Sequence, residues 1–307
     1  MKKNKVRALV LFSGGLDSTL AVKVLEKQNI EVTGLAFVSY FFDDVKARIS
    51  AEKNNITMRS VNFSQVHADV VKNPKRGYGS AMNPCIDCHL LMIREAGKIM
   101  REENFDFVAT GEVLGQRPMS QNLHALQLIE KEAGLSGRLL RPLSAKLLDE
   151  TEVEKNGSVD REQLFDLSGR SRKRQFELVK ELGINYYPTP SGGCLLTEIE
   201  FGKKLKTLLE KIKDPTASDY ELLKVGRIFW SGDVRIIVGR NSDDNEGLKR
   251  LKEKDDKMLE LKDFMGPIVL VRGKITDEIM DEAKKIAASY SRHTKEADYK
   301  NLEFIVN

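Results

Sequence analysis

The segment 13–18 reads Ser-Gly-Gly-Leu-Asp-Ser and lies between an apolar run at 7–12 and a stretch whose apolar residues have helical spacing. This order of strand, glycine loop and helix restricts the chain to folds in which the backbone turns sharply at the end of a strand. Gly14 and Gly15 both allow positive φ angles, which would turn backbone amides inward. The first amides of the following helix lack internal partners and carry the positive end of the helix dipole. The segment therefore predicts a phosphate-binding loop.

Side chains of the same loop extend this prediction. Ser13 and Ser18 offer hydroxyl donors, and Asp17 offers a carboxylate that could hold a magnesium ion beside the phosphates. The alternative is an ordinary strand-to-helix turn capped by Asp17 or Ser18. The loop lacks the Gly-Lys-Ser/Thr ending of a Walker A loop, so it is not one.

Strand-like and helical segments alternate through the first part of the chain. The predicted strands are 7–12, 31–38, 56–63, 105–111 and 139–143. The predicted helices are 43–54, a helix that continues from the stretch 83–89 and ends at 104, 122–133 and 170–182, with a surface loop at 150–160. This alternation predicts an α/β fold with a doubly wound parallel sheet. Ligands of such sheets bind at the carboxyl ends of the strands, so the loop that begins at Gly111 should adjoin the phosphate loop.

The alternation stops near residue 198, and we expect two domains, 1–197 and 198–307. A predicted helix at 201–212 precedes a hairpin with strands at 226–230 and 234–240, turned by Ser-Gly-Asp. A helix, a strand at 267–271, a helix at 276–290 and a final strand follow. The second domain is therefore expected to be a smaller α+β unit.

Three cysteines are the remaining candidates for chemistry. Cys85 and Cys88 have the C-x-x-C spacing of metal ligands, and Cys194 follows Gly192-Gly193, a turn that would let the backbone approach a bulky group. Several interpretations stay open: a zinc site completed by His89, a persulfide-carrying pair, a [4Fe–4S] cluster with one open iron, and buried inert thiols. The C-x-x-C-H pattern also suggests a c-type haem, which is disfavoured because it needs an oxidising compartment.

Residues 13–18 resemble the SGGxDS motif of the PP-loop ATP pyrophosphatases at every fixed position. The segment 110–116, followed by Ser120-Gln121, is similar to the TGExLGQxxSQ stretch of tRNA 4-thiouridine synthetases, and 141–143 resembles the segment after it. The likeness covers residues 5–197. It implies ATP and Mg²⁺ as cofactors, cleavage between the α- and β-phosphates, and thiolation of a tRNA uridine, with sulfide or a sulfur-carrier protein as donor. The implied nucleotide-binding residues are Ser13, Gly14, Gly15, Asp17, Ser18 and Gly111.

Several tRNA thiolation enzymes of this family hold a [4Fe–4S] cluster on three cysteines, and Cys85, Cys88 and Cys194 look like that set. The resemblance therefore implies that these thiols and Asp17 are catalytic, and that the thiols are the cluster ligands. The 307 residues show no counterpart of the THUMP-type and rhodanese domains of 4-thiouridine synthetases. This difference leaves the target uridine open.

The C-terminal part, from 226 to 246 and again near 266 and 287–292, resembles the RNA-binding module of the NFACT family. Arginines there could contact phosphates, while Trp230 or Tyr290 could stack on a base; the alternative is a solvated charged face around a small core. A basic run in the first domain suggests a further contact surface. The predicted RNA-binding residues are Arg141, Arg172, Lys173, Arg174, Arg227 and Arg240.

Composition limits the other function classes. The net charge of +4 is only mildly basic, so any RNA surface must be local. No apolar run approaches the ~18 residues of a membrane span, and we expect a cytoplasmic protein with reduced thiols. The four histidines are scattered, and no pattern pairs them with a nucleophile. Two other functions remain: a PP-loop enzyme that adenylates a small molecule, and a non-catalytic zinc-containing RNA-binding protein.

Overall fold

The computed structural model describes residues 5–189, 193–263, 265–291 and 296–307. The chain divides into two compact units, Met1–Thr197 and Glu198–Asn307. Each unit has its own sheet and its own hydrophobic core.

The first unit contains a five-stranded sheet in the order β3-β2-β1-β4-β5, and every pairing in it is parallel. Its strands are β1 (Arg7–Leu11), β2 (Glu31–Val38), β3 (Met58–Asn62), β4 (Phe107–Thr110) and β5 (Leu139–Leu140). The predicted α/β class with a doubly wound parallel sheet is confirmed. The strand order reverses between β1 and β4, so the loops that follow these two strands meet at the carboxyl edge of the sheet.

Helices cover both faces of this sheet. They are α1 (Leu16–Lys27), α2 (Val45–Asn54), α3 (Ser64–Lys72), α4 (Cys85–Glu102), α5 (Leu123–Glu132), α6 (Glu152–Lys155) and α7 (Lys173–Glu181), with 3-10 turns at Ala145–Leu147, Arg161–Gln163 and Leu195–Thr197. Side chains alternate along β1, so Ala8 and Val10 join the core on one face while Leu9 joins the core on the other.

One local prediction for this unit is corrected, and one helix was not predicted. The segment 150–160, expected to be a surface loop, contains α6, which Thr151 and Glu154 start with a capping box. Val153 and Val159 on this segment are buried in the core. Helix α3 was not predicted, because the polar Ser64 and His67 interrupt its buried stripe.

The second unit is an antiparallel sheet in the order β10-β8-β9-β7-β6. Its strands are β6 (Arg227–Ser231), β7 (Val234–Val238), β8 (Lys257–Leu261), β9 (Val269–Arg272) and β10 (Phe304–Val306). Its helices are α8 (Ile199–Lys211), α9 (Ala217–Leu222), α10 (Ser242–Leu251) and α11 (Asp277–Ser289), with a 3-10 turn at Glu296–Asn301. The predicted β6–β7 hairpin and α+β class are confirmed, whereas β8 and α9 were not predicted. Within the described ranges, none of the helices has the length and apolar character needed to cross a membrane.

Candidate functional site

Gly14 and Gly15, which follow β1, have different backbone conformations. Gly14 has φ +73°, and a Cβ built on it would lie 2.4 Å from the Lys46 carbonyl oxygen at the start of α2. Gly15 has φ −75° and is the extended N-cap residue of α1, without a side-chain cap. The expectation of positive φ at both glycines is therefore wrong for Gly15. The close approach of α2 is what requires glycine at position 14.

The hydroxyls of Ser13 and Ser18 lie in contacts within the loop itself. Ser18 is buried and its Oγ donates to the Gly15 carbonyl oxygen at 3.0 Å. The exposed Ser13 has its Oγ 3.3 Å from that of Ser18. The backbone therefore starts α1 without a cap from Asp17 or Ser18, which leaves the side chain of Asp17 for another partner.

Asp17 has one engaged and one unengaged carboxylate oxygen. Its Oδ2 accepts a hydrogen bond from Gln116 Nε2 at 2.6 Å, while its Oδ1 is buried and has no hydrogen-bond partner among the described residues. Burial raises the pKa of Asp17, and the bond from Gln116 and the nearby charges of Arg172 and Arg117 oppose that rise. A buried carboxylate oxygen without a donor fits a hard cation such as Mg²⁺.

The loop after β4 lies directly on the phosphate loop. A Cβ at Gly111 would lie 2.5 Å from the carbonyl carbon of Asp17. Only a residue without a side chain allows this approach, so the predicted site residue Gly111 joins the two loops at the strand-order reversal.

Helix α7 adds a part of the site that the sequence did not reveal. The fully buried Gln175 donates from Nε2 to Gln116 Oε1 at 3.1 Å, and Gln116 in turn binds Asp17. The charge of Arg172, the residue before α7, acts on Asp17, and its Nε is buried without a hydrogen-bond partner among the described residues. Arg172, predicted to bind RNA, thus lies within electrostatic range of the phosphate loop.

The three thiols lie within electrostatic range of one another. Cys85 is the first residue of α4 and Cys88 lies one turn on, near the positive end of that helix dipole. Burial raises the pKa of Cys88, and the charges of Cys194 and Cys85 raise it further. Burial also raises the pKa of Cys194, with a further contribution from Cys85. All three are free thiols.

This donor set has the chemistry of an iron–sulfur site, since thiolates are the usual cluster ligands. Over the described part of the chain, no three His, Cys, Asp or Glu side chains are already arranged to hold a metal ion. Gly192, expected to shape the turn before Cys194, lies outside the described residues. Gly193 is exposed, and the turn after it is closed by Thr197 Oγ1, which donates to the Cys194 carbonyl oxygen at 2.7 Å.

A histidine contacts one of these thiols, which corrects the expectation that no histidine is paired with a nucleophile. His67 is fully buried, its Nε2 lies 2.9 Å from Cys88 Sγ, and its Nδ1 lies 2.6 Å from Ser39 Oγ. Burial lowers the pKa of His67 to about 4, so the ring is neutral. The partners come from different elements, so no local sequence pattern signals the contact.

A second histidine is joined to the loop after β4. His89 Nδ1 lies 2.8 Å from Glu112 Oε1, and Arg141 Nε donates to Glu112 Oε2 at 3.1 Å. Burial raises the pKa of Glu112, but the hydrogen bond from His89 and the charge of Arg141 outweigh it and hold the pKa at about 2. Arg141 also donates to Glu130 Oε2 at 2.9 Å.

Two of the predicted RNA-binding residues, Arg141 and Arg174, form ion pairs within this unit. Arg141 is 3% exposed and ion-paired to Glu112 and Glu130, which disfavours the prediction that it contacts RNA. Arg174 pairs with Glu181 at 2.5 Å within its own helix, which reduces its free charge. Lys173 is exposed at the start of α7.

The second unit presents cations beside aromatic rings. The exposed Arg227 places its guanidinium 4.8 Å from the ring centroid of Tyr290, which is 42% exposed. Lys211 and Arg235 lie over the ring of Trp230 at 5.4 and 5.6 Å. Arg240 is exposed and pairs with Asp244, donating from Nε at 2.6 Å.

Comparison with known proteins finds one matching family model in each unit. Residues 4–155 match the family described as thiamine biosynthesis protein (ThiI), and residues 226–304 match the NFACT protein RNA binding domain.

Individual relatives match parts of the chain. A probable tRNA sulfurtransferase of Finegoldia magna is 33% identical over 156 residues, which cover 48% of this chain and 37% of the relative. A tRNA sulfurtransferase of Desulfurococcus amylolyticus is 31% identical over 146 residues, 45% of this chain and 29% of the relative. A solved 4-thiouridine synthetase–RNA complex with bound ATP is 24% identical, covers 58% of this chain and 52% of that one, and has a TM-score of 0.38. The chain thus spans well under half the length of either sulfurtransferase.

Proposed function

We propose that this chain, whose residues 4–155 match the ThiI family and whose residues 226–304 match the NFACT protein RNA binding domain, is an ATP-dependent tRNA sulfurtransferase. In this reaction a uridine carbonyl oxygen is adenylated and then replaced by sulfur. The names of the sulfurtransferase relatives support this substrate class.

The phosphate loop performs the activation. Amides at the start of α1 would hold the phosphates, the unpartnered oxygen of Asp17 would hold Mg²⁺, and Arg172 would add positive charge nearby. The uridine oxygen attacks the α-phosphorus, forming a new P–O bond as the bond to the β-phosphate oxygen breaks and pyrophosphate leaves. Adenylation converts the carbonyl oxygen into part of a good leaving group, AMP.

The thiols provide the sulfur half of the site. A [4Fe–4S] cluster bound by Cys85, Cys88 and Cys194 would supply an open iron position for sulfur. The sulfur arrives as hydrosulfide, either free in solution or from a sulfur-carrier protein. It forms a C–S bond to the activated uridine carbon as the C–O bond breaks and AMP leaves. The protein's own part would be to bring the three thiols together near the start of α4, where the charges of Cys85 and Cys194 already act on Cys88.

One chain of contacts carries the proposal. Gly111 touches the backbone of Asp17, Glu112 follows it, and Glu112 binds His89, the neighbour of Cys88. Helix α4 runs back along the sheet from β3 to β4, so its first residues lie at the carboxyl edge, where the phosphate loop also lies. The activation and sulfur halves therefore share one edge of one sheet.

RNA binding is assigned to the second unit. Arg227 and Tyr290 place a cation and an exposed ring together, a combination that suits a phosphate and an unstacked base. In the first unit, the exposed Lys173 remains a candidate for an RNA phosphate.

The test is anaerobic purification, iron and sulfide analysis, and measurement of pyrophosphate release with ATP and unmodified tRNA. We expect iron and sulfide in the protein, pyrophosphate release that depends on tRNA, and a thiolated uridine in the digested tRNA by mass spectrometry. Asp17→Asn should abolish pyrophosphate release and keep the iron, whereas Cys194→Ser should lose the iron. Asp69→Asn, at an exposed carboxylate on α3, is the matched control.

Two results would replace the proposal with an alternative. Pyrophosphate release with a small molecule and without RNA would indicate a small-molecule adenylating enzyme. Stoichiometric zinc, with no pyrophosphate release on any tRNA, would indicate a non-catalytic RNA-binding protein.

A further inference from the structure

His67 occupies a closed aromatic pocket next to the sulfur site. Phe63 stacks on its ring with centroids 5.0 Å apart and planes at 7°, and Phe41 and Phe42 lie at 5.5 and 5.3 Å. The residue is 0% exposed, so bulk solvent does not contact its ring. Each nitrogen instead has one protein partner, Ser39 or Cys88.

The hydrogen bonds around Ser39 determine which nitrogen carries the proton. The Phe41 backbone N–H donates to Ser39 Oγ at 3.3 Å. The hydroxyl proton of Ser39 still needs an acceptor, and in the described structure the acceptor within reach is His67 Nδ1. A neutral imidazole that accepts at Nδ1 carries its proton on Nε2. That proton points at Cys88 Sγ, 2.9 Å away.

We propose that His67 is a positioning residue that donates its Nε2–H to the sulfur of Cys88, with Ser39 holding the tautomer. Cys88 is thereby fixed as a hydrogen-bond acceptor, the role of a ligand sulfur and not of a thiol donor. The significance for sulfur chemistry rests on the proposed function, whereas the direction of the hydrogen bond does not.

The alternative is a histidine that only fills the aromatic pocket. If His67 only fills the pocket, phenylalanine should replace it adequately. If His67 donates a hydrogen bond to Cys88, phenylalanine should not replace it, because it has no donor. Glutamine offers an amide N–H where the histidine has Nε2, so His67→Gln keeps a donor and His67→Phe keeps the volume. This pair of variants separates hydrogen bonding from packing.

The first measurement uses the metal-free full chain. We expect ¹⁵N NMR of the histidine rings to show His67 as the neutral Nε2–H tautomer, and Ser39→Ala to remove that preference. An Nδ1–H tautomer in the unaltered protein would overturn the inference, because Cys88 would then be the donor. This result does not depend on a cluster, on ATP or on tRNA.

The second measurement uses the anaerobically reconstituted protein. Hydrogen bonds to ligand sulfurs help to set cluster potentials, so His67→Phe should shift the midpoint potential to more negative values while His67→Gln stays close to the unaltered protein. Equal potentials in all three would show that His67 only packs. If no cluster assembles in the unaltered protein, the proposed cofactor fails, and the NMR result still decides the direction of the hydrogen bond.

Discussion

Replacing each glycine of the phosphate loop by alanine tests the geometry assigned to that loop. At Gly14 the φ angle of +73° is unfavourable for an alanine by roughly 1–2 kcal/mol. The new Cβ would also lie 2.4 Å from a backbone oxygen of α2, and overpacking of that kind typically costs about 1–3 kcal/mol. Gly14→Ala should therefore destabilise the first unit by about 2–5 kcal/mol.

Gly15→Ala is the matched control in the same loop. Its φ of −75° suits alanine, and the nearest atom to the new Cβ is Ser13 Oγ at 3.4 Å. Alanine is a poorer N-cap than glycine by about 0.5–1 kcal/mol, and a restricted unfolded chain offsets this by about 0.4–1 kcal/mol. The free energy of unfolding should change by less than about 0.5 kcal/mol.

Urea unfolding followed by far-UV circular dichroism measures both variants. The single tryptophan, Trp230, lies in the second unit, so its fluorescence would report the wrong part of the chain. The reasoning fails if both variants lose the same stability, or if Gly14→Ala loses less than about 1 kcal/mol.

Three further predictions address charge. Burial raises the pKa of Glu112, but the hydrogen bond from His89 and the charge of Arg141 outweigh this and hold the pKa at about 2. The stabilisation from this ionised carboxylate is therefore fully present above its ordinary pKa of 4.5 and is lost as the pH falls toward 2. Glu112→Gln should cost about 3–5 kcal/mol at neutral pH and flatten that acid-side dependence in urea titrations at several pH values; an unchanged slope would refute the pairing. Arg172→Ala should raise the KM for ATP about tenfold in pyrophosphate-release assays, whereas Arg174→Ala, already paired on its own helix, should change it less than about twofold. Arg227→Ala should weaken tRNA binding and lower the salt slope by about 1, and Tyr290→Ala should weaken binding without changing the slope; equal slopes for both would contradict a phosphate contact.

The sheet and the phosphate loop could be predicted because their signals are local. A buried strand, a glycine turn and a helix start lie next to one another, and repetition of that order leads to a parallel sheet. Helix α3 was not predicted, because its buried face carries the polar residues His67 and Ser64, which interrupt the helical spacing of apolar residues. The interruption has a physical reason, since His67 is the residue that reaches Cys88.

The contacts that complete the site could not be predicted, because each joins distant segments. Ser39 and Cys88 lie 28 and 21 residues from His67 on different elements, and Gln175 reaches Gln116 across 59 residues. No residue-type pattern specifies such pairs. These contacts form where loops meet at the carboxyl edge of the sheet. The strand order determines which loops meet there, and the sequence does not state that order directly.

The basic residues show why charge in a sequence does not assign a partner. The sequence alone suggests that Arg141 is free to bind a phosphate. In the structure, Glu112 in the loop after β4 and Glu130 on α5 form ion pairs with it inside the unit. In the run that begins α7, Arg172 acts on Asp17, Arg174 pairs with its own helix, and Lys173 is exposed. Three adjacent cations thus have three different environments, because a helix start turns successive side chains in different directions. In our proposal, Lys173 is therefore the candidate for an RNA contact in this unit, and Arg172 is the candidate for a contact with the phosphates of ATP.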